Sequence, residues 1–191
     1  GPYVSTLTNG AAVIESMNYL GLDVACIGNH EFDHGWENTL EQLNKANFPI
    51  VNGNIFYKNS DQLFWDNPYV ILNKAGLKIG VIGLHGKFAF YDTINFKMIE
   101  AIETRDEVYY LKKYIAELKP ITDIIILSIH GGMPGRQSSI GLSDVERSLY
   151  ADIMLAKEVS DLDIIITGHA HTGTPQALIS NDTIIVSTNA Y

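Results

Sequence analysis

Short apolar runs alternate along this chain with longer segments in which apolar residues recur at helical spacing. The short runs cover residues 23–27, 48–51, 123–129 and 163–167, and such runs are typical of strands buried on both faces of a sheet. The helical segments cover residues 11–20, 36–46, 104–118 and 144–159. Ser143 and Glu146 form a capping-box pattern at the start of the last one. Helices alternating with buried strands predict a layered α/β fold.

Two pairs of closely spaced strands add antiparallel character to this fold. Residues 69–72 and 78–84 flank a turn at 74–76, and the shorter runs 177–179 and 184–187 flank Asn181-Asp182. Turn residues between adjacent strands indicate hairpins. We therefore expect a mixed sheet or two packed sheets. The polar stretch 52–66, with its scattered aromatic residues, is expected to be a surface excursion.

Composition restricts the classes of function. The chain has 191 residues, 46% of them hydrophobic, which is enough for one domain with a core of its own. A net charge of −9 argues against electrostatic binding of nucleic-acid phosphates. The single cysteine, Cys26, excludes a disulfide within the chain and a thiolate zinc ribbon. No apolar run reaches the length of a membrane span, and the first residues lack the basic and apolar pattern of a signal peptide.

Four of the six histidines come directly after predicted strands: His30, His130, His169 and His171. The carboxyl ends of parallel strands open onto one edge of a sheet, so these imidazoles are expected to meet there. A lone histidine is more often structural than functional. Four at strand ends, inside Gly28-Asn29-His30-Glu31, His130-Gly131-Gly132 and Gly168-His169-Ala170-His171, favour a metal site, because neutral imidazole is the commonest transition-metal ligand.

Taken together, these blocks resemble successive motifs of the calcineurin-like metallophosphoesterases. Glu31-Phe32-Asp33 and the later Val51-Asn52-Gly53-Asn54-Ile55 are similar to the branch that contains 5′-nucleotidases and 2′,3′-cyclic-nucleotide phosphodiesterases. The resemblance runs over nearly the whole chain. It implies a layered α/β/β/α sandwich with mixed sheets, and a parent protein that hydrolyses phosphate esters of nucleotides through a water activated by two metals.

The resemblance also implies a role for each site residue. Asn29, His130 and His169 would bind one divalent metal ion and His171 the other, with Zn²⁺ or Mn²⁺ suited to these mixed N and O ligands. His30 would face the substrate phosphate, and Asp33 would orient it. The implied partner is a nucleotide or another phosphomonoester. The implied location of the parent is periplasmic, cell-surface or secreted.

The sequence departs from the family pattern at its beginning. It contains no Asp-x-His triplet and no Gly-Asp dipeptide, the blocks that carry three further ligands in the family. We therefore expect residues 1–191 to form a single catalytic domain that lacks its first strands, without the C-terminal nucleotide-binding domain, with impaired activity and with an exposed sheet edge open to self-association. The alternative is a non-catalytic domain of this fold that binds at most one metal ion weakly.

Other polar residues receive smaller roles. His34 is expected to be solvated, and His85 to be structural or to support the site from behind. Arg136 could approach an anionic substrate or be solvated. Three glycines spaced Gly80-x-x-Gly83-x-x-Gly86 begin within a strand instead of in a strand-to-helix turn, which argues against a nicotinamide-binding enzyme.

Overall fold

The fold is given by a computed structural model of the chain, which describes residues 3–92, 95–132 and 141–189. Its α-helices are α1 (Tyr3–Leu7), α2 (Ala11–Leu20), α3 (Trp36–Leu43), α4 (Lys87–Tyr91), α5 (Glu107–Leu118), α6 (Asp144–Ser148) and α7 (Tyr150–Glu158). Its strands are β1 (Ala25–Cys26), β2 (Ile50–Val51), β3 (Ile55–Tyr57), β4 (Tyr69–Lys74), β5 (Leu77–His85), β6 (Ile102–Thr104), β7 (Ile124–His130), β8 (Ile164–Thr167), β9 (Leu178–Ser180) and β10 (Thr183–Ser187). Short 3₁₀ helices cover Asn29–Phe32 and Phe96–Ile99. Among the described residues, no helix is both long and apolar enough to cross a bilayer.

A six-stranded mixed sheet forms the centre of the molecule, in the order β4-β5-β7-β8-β10-β9. The four inner strands are parallel, and β4 and β9 pair antiparallel at the two edges. Both edge strands arise from the predicted hairpins. Positive φ angles at Ala75 and Gly76, and at Asn181 and Asp182, give turns of the kind that matches strand twist. The predicted α/β class and the mixed sheet are confirmed.

One face of this sheet is covered by helices α5 and α7. Alternate residues of β7 are buried: Ile125, Leu127 and Ile129 point into the core, and the residues between them, on the other face, are only half-buried. Leu111, Tyr114, Ile115 and Leu118 of α5, together with Leu155 and Ala156 of α7, pack against these strands. The burial of this apolar surface is the main contribution that holds the two layers together.

The opposite face carries a second, smaller layer of strands. β1 and β2 form a parallel pair, with β2 lying over β5 and β1 over β7. The two layers approach so closely that a Cβ atom at Gly83 would overlap the carbonyl group of Val51. Helix α3 packs outside this pair, around a second core that includes Ile27, Leu43 and Ile50. The order of layers is therefore helix, sheet, sheet, helix.

The small layer does not extend over β8, β10 and β9. Strand register places Ile164, Ile166, Ile179, Ile184 and Val186 on the side of the sheet away from α7. Ile179 is 75% exposed, and Ile166 and Ile184 are also exposed. We call this surface, made of these five residues, the isoleucine face.

Several predicted boundaries are wrong. Residues 102–104 form β6, which pairs with β3, and helix α5 begins only at Glu107 because the side chain of Asp106 accepts a hydrogen bond from the backbone N–H of Tyr109. The predicted helix 144–159 is two helices, since Leu149 leaves the helical conformation while its side chain is fully buried. The capping box of Ser143 and Glu146 is confirmed.

The stretch 52–66 was expected at the surface, and that expectation is wrong for its first residues. Asn52 and Asn54 are fully buried. The side-chain oxygen of Asn52 accepts hydrogen bonds from the backbone N–H groups of Asn54 and Ile55. The amide nitrogen of Asn54 donates to the carbonyl of His85 at 2.8 Å and to the hydroxyl of Thr104 at 3.0 Å. These asparagines replace backbone pairing inside the core, so a polar composition does not indicate exposure here.

Candidate metal centre

A cavity of about 310 Å³ opens at the carboxyl ends of β7 and β8. It is bordered by the 3₁₀ helix Asn29–Phe32, by α4 and by the segments that follow β7 and β8. Its lining residues are Asn29, His30, Phe88, Asp92, His130, His169, Ala170 and His171. The strand-end histidines therefore meet at one cavity, as predicted, although His30 follows β1 of the small layer and only the other three follow strands of the central sheet.

Asn29 and His130 form the most buried part of this cavity. Oδ1 of Asn29 lies 2.9 Å from Nε2 of His130, and Asn29 is 5% exposed. The 3₁₀ helix can approach the imidazole this closely because a Cβ atom at Gly28 would lie 2.9 Å from Nδ1 of His130. The Gly28 N–H is held by Oε2 of Glu31 at 2.6 Å, which fixes the start of the turn.

Two further imidazole rings lie beside His130, each inclined to its ring plane. The ring of His130 lies 5.1 Å from that of His169 and 5.2 Å from that of the fully buried His85. Burial, reinforced by the neighbouring imidazoles, lowers the pKa of His130 well below its usual range, and burial lowers the pKa of His85 to about 4. Both rings are therefore neutral at physiological pH, which is the form of histidine that binds metals. His85 does not line the cavity and supports His130 from behind, consistent with its predicted structural role.

His169 and His171 have strained backbones. Their φ angles are 75° and 55°, in the left-handed region that residues with a side chain rarely adopt. Such strain costs about 1–3 kcal/mol and clusters at functional sites. The loop is fixed from one side by Gly132, where a Cβ atom would lie 2.8 Å from the Cβ of Ala170. The two histidine segments therefore hold one another in place.

His30 and Asp33 form a pair at the cavity. Nδ1 of His30 lies 2.9 Å from Oδ2 of Asp33, and the His30 side chain is 43% exposed. The pair lies on one turn, because His30 and Asp33 are three residues apart at the 3₁₀ helix Asn29–Phe32. A carboxylate in this position fixes the orientation of the imidazole ring.

The donor chemistry of the cavity fits a transition metal. An amide oxygen and an imidazole nitrogen, 2.9 Å apart and beside a third donor ring, are the mixed N and O set that Zn²⁺ and Mn²⁺ accept. Asn29, His130 and His169 thus lie together, and His171 lies in the wall of the same cavity. Across residues 3–92, 95–132 and 141–189, no three His, Cys, Asp or Glu side chains converge closely enough to hold a metal ion. The ligand roles accordingly remain proposals.

Two residues of this cavity carry no signal in the sequence. Phe88 and Asp92 come from α4 and the residue that follows it, an element that belongs to none of the recognised motifs. Oδ2 of Asp92 lies 3.5 Å from Nε2 of His169. His34, expected to be solvated, is half-buried instead and lines a second, small cavity beside α2, which His30 also borders. Arg136 falls outside the described residues.

Comparison with known proteins identifies the family. The model of the calcineurin-like phosphoesterase family matches residues 7–173. The chain is 34% identical over 175 residues to a 5′-nucleotidase of Vibrio vulnificus, covering 87% of this chain and 29% of the relative. It is 30% identical over 190 residues to a 2′,3′-cyclic-nucleotide 2′-phosphodiesterase/3′-nucleotidase of Haemophilus influenzae, covering 90% of this chain and 27% of that protein. The chain thus spans under a third of the length of these curated relatives.

A solved structure gives the same answer for the fold. The sulfate thiohydrolase SoxB of Thermus thermophilus superimposes with a TM-score of 0.80 at 22% identity, over 98% of this chain and 31% of that one. At this identity the likeness concerns the fold alone. Sequence and fold agree, and the chain belongs to the calcineurin-like phosphoesterase family.

Proposed function

We propose that the protein is a metal-dependent phosphoric-ester hydrolase that acts on nucleotides, of the 5′-nucleotidase type. The observation that carries the proposal is the contact of Asn29, His130 and His169 in a cavity that also holds the His30–Asp33 pair. The relatives named as nucleotidases and phosphodiesterases support this choice of substrate. Other phosphomonoesters remain within the same chemistry, and a nucleic-acid polymer is not expected at a net charge of −9.

In this proposal, Asn29, His130 and His169 hold one divalent metal ion and His171 contributes to a second, with Zn²⁺ or Mn²⁺ as the candidates. When bound, two such ions lower the pKa of a water molecule and neutralise charge on the phosphoryl group. The chain's own contribution is to keep the imidazoles neutral by burial and to fix them through close glycine contacts at Gly28 and Gly132.

His30 is the proposed catalytic residue. Its ring is exposed toward the cavity while its Nδ1 is held by Asp33, so Nε2 is free of that contact and suited to face a substrate phosphate. An imidazolium in this position stabilises negative charge on the phosphoryl oxygens or gives its proton to the leaving oxygen. The carboxylate of Asp33 keeps the ring oriented.

The alternative proposal is a non-catalytic domain that binds at most one metal ion weakly. Within the described part of the chain, the absence of any convergent trio of His, Cys, Asp or Glu favours it. The same observation supports the proposal that the 191 residues alone have impaired activity. The single-domain organisation and a periplasmic, cell-surface or secreted location stay predictions that rest on the family resemblance.

We also propose that the chain associates with a second copy of itself. Strand β9 is an edge of the central sheet, and Ile179 on it is 75% exposed at the border of the isoleucine face. An edge strand with unpaired backbone groups beside exposed apolar side chains is a template for pairing with another chain.

The test of the catalytic proposal combines metal counting with an assay. The chain is loaded with Mn²⁺ or Zn²⁺, bound metal is counted by mass spectrometry, and hydrolysis of 5′-AMP and of a 2′,3′-cyclic nucleotide is measured. We expect His30→Ala to lower the rate about 10²–10⁴-fold, the usual contribution of a general acid or base. His34→Ala, in the same loop but outside this cavity, is the matched control and should leave the rate unchanged.

Each outcome decides between the two proposals. Two metal ions per chain with turnover that is lost in His30→Ala supports the hydrolase. Equal rates for His30→Ala and the unsubstituted chain would contradict the catalytic role of His30. One metal ion or none, without turnover of either substrate, favours the non-catalytic domain.

A further inference from the structure

Asp92 contacts two of the candidate metal ligands at once. Its backbone carbonyl accepts a hydrogen bond from Nδ2 of Asn29 at 3.2 Å, and its carboxylate oxygen Oδ2 lies 3.5 Å from Nε2 of His169. The residue lies directly after α4 and lines the cavity, and its side chain is 63% exposed. Nothing in its sequence context connects it with the three motif blocks.

The contact with Asn29 determines which atom of the amide faces the cavity centre. An asparagine side chain offers an oxygen that can bind a metal and a nitrogen that cannot. Because Nδ2 of Asn29 donates its hydrogen bond to the carbonyl of Asp92, the oxygen Oδ1 is the atom that lies 2.9 Å from Nε2 of His130. Without that carbonyl, rotation of the amide by half a turn would present the nitrogen instead.

The contact with His169 acts on a residue whose backbone is already strained. The φ angle of His169 is 75°, in the left-handed region. A carboxylate beside one ring nitrogen fixes the tautomer and the orientation of the ring, and it leaves the other nitrogen for a metal. At 3.5 Å the Asp92 carboxylate attracts a proton on Nε2 of His169, which favours the tautomer whose Nδ1 is left for a metal.

We propose that Asp92 is a positioning residue whose carboxylate holds His169 in the orientation needed for a shared divalent cation, while its backbone carbonyl, which side-chain variants keep, orients Asn29. This inference rests on the proposed function, because it presupposes a metal ion at the Asn29–His130–His169 cluster. Asp92 acts through these two ligands and does not itself bind the metal. Phe88, one helical turn before Asp92, lines the same wall of the cavity and keeps α4 against the His169 ring, with ring centroids 6.4 Å apart.

The test measures metal binding and needs no activity. Co²⁺ is titrated into the parent chain, Asp92→Ala and Asp92→Asn, and both affinity and the visible absorption spectrum are recorded. We expect Asp92→Ala to weaken binding about 10–100-fold, the usual effect of removing a partner of a metal-bound histidine. Asp92→Asn keeps an acceptor beside Nε2 and should lose less. At saturation the spectrum of each variant should match that of the parent.

Asp23→Asn is the matched control. Its side chain is 60% exposed and pairs with Lys74 far from the cavity, so its Co²⁺ affinity should equal that of the parent. Thermal midpoints of all variants should agree within a degree or two, because Asp92 is an exposed residue.

Each failure has its own meaning. If the parent chain takes up no Co²⁺, the proposed metal centre fails and the inference falls with it. If the unsubstituted chain binds Co²⁺ and Asp92→Ala binds it within twofold, the metal centre stands and the positioning role of the Asp92 carboxylate is overturned. A changed spectrum at saturation would also overturn it, since that would make Asp92 a direct ligand.

Discussion

Asp152 allows a quantitative test of how the protein supports its histidine loops. Its side chain is 1% exposed, beneath Gly131, and its Oδ1 accepts a hydrogen bond from the hydroxyl of Thr167 at 3.1 Å. Thr167 ends β8 directly before Gly168 and His169, so this carboxyl group connects the segments that follow β7 and β8. Burial raises the pKa of Asp152 from 3.8 to about 7.

The direction of the pH effect follows from this raised pKa. Between about pH 4 and pH 7 the folded chain holds a proton on Asp152 that the unfolded chain has lost, so the stability that this proton gives falls as pH rises through that window. Each pH unit costs about 1.4 kcal/mol of the free energy of unfolding while the two states differ in protonation. Because the folded carboxyl group is only half ionised at pH 7, the loss is about 2 kcal/mol from pH 5 to pH 7 and approaches about 3 kcal/mol by pH 8.

The Asp152→Asn variant keeps the shape and an oxygen acceptor for Thr167 but cannot ionise. Urea unfolding of both chains at pH 5, 6, 7 and 8 gives the difference in their free energies of unfolding, from which the titration of all other groups cancels. We expect this difference to shift by about 3 kcal/mol in favour of the variant between pH 5 and pH 8.

Asp161→Asn serves as the control for this experiment. Asp161 is exposed, and its pKa is lowered by its hydrogen bond with Lys119, so it stays ionised from pH 5 to pH 8 and its variant should show no such shift. A difference between Asp152→Asn and the parent chain that stays constant to within about 0.5 kcal/mol across this range would refute the reasoning. Asp152 would then already be ionised when folded.

Two further predictions concern the contact between the strand layers and the association of two chains. Gly83→Ala should lower the free energy of unfolding by about 3 kcal/mol or more in urea titrations, because the new Cβ meets the rigid backbone of Val51. Gly80→Ala, on the same strand, meets only a side-chain methyl of Leu118 at 3.0 Å and should lower it by about 1 kcal/mol. Equal losses would show that the strand layers can separate. Ile179→Lys should shift the chain from dimer to monomer in light scattering, since it places a charge at the exposed edge strand. A parent chain that is monomeric at 100 µM would refute the self-association.

The parts of the fold that follow from local rules could be predicted from the sequence. Asn181 and Asp182 tolerate positive φ, so the last hairpin was evident from two residues. Parallel strands bring their carboxyl ends to one edge, and this is why His130 and His169 could be placed together from chain order alone.

The parts that depend on tertiary contacts could not be predicted. Asn54 reads as a loop residue, yet it is fully buried because His85 and Thr104 supply its partners from distant segments. The helix is interrupted at Leu149 because this side chain is buried, and no proline or glycine at that position predicts the interruption. Asp92 belongs to the site only because α4 packs beside the His169 loop, a contact of residues 77 positions apart.

The isoleucine face has a thermodynamic consequence for the folded chain. Apolar surface that stays in water in the native state contributes nothing to the heat-capacity change of unfolding, which is ordinarily about 12–15 cal/mol/K per residue. The exposed parts of Ile166, Ile179 and Ile184 therefore add nothing to that change. Any association that covers these side chains has a negative heat-capacity change and is favoured by entropy near room temperature, so it grows stronger on warming.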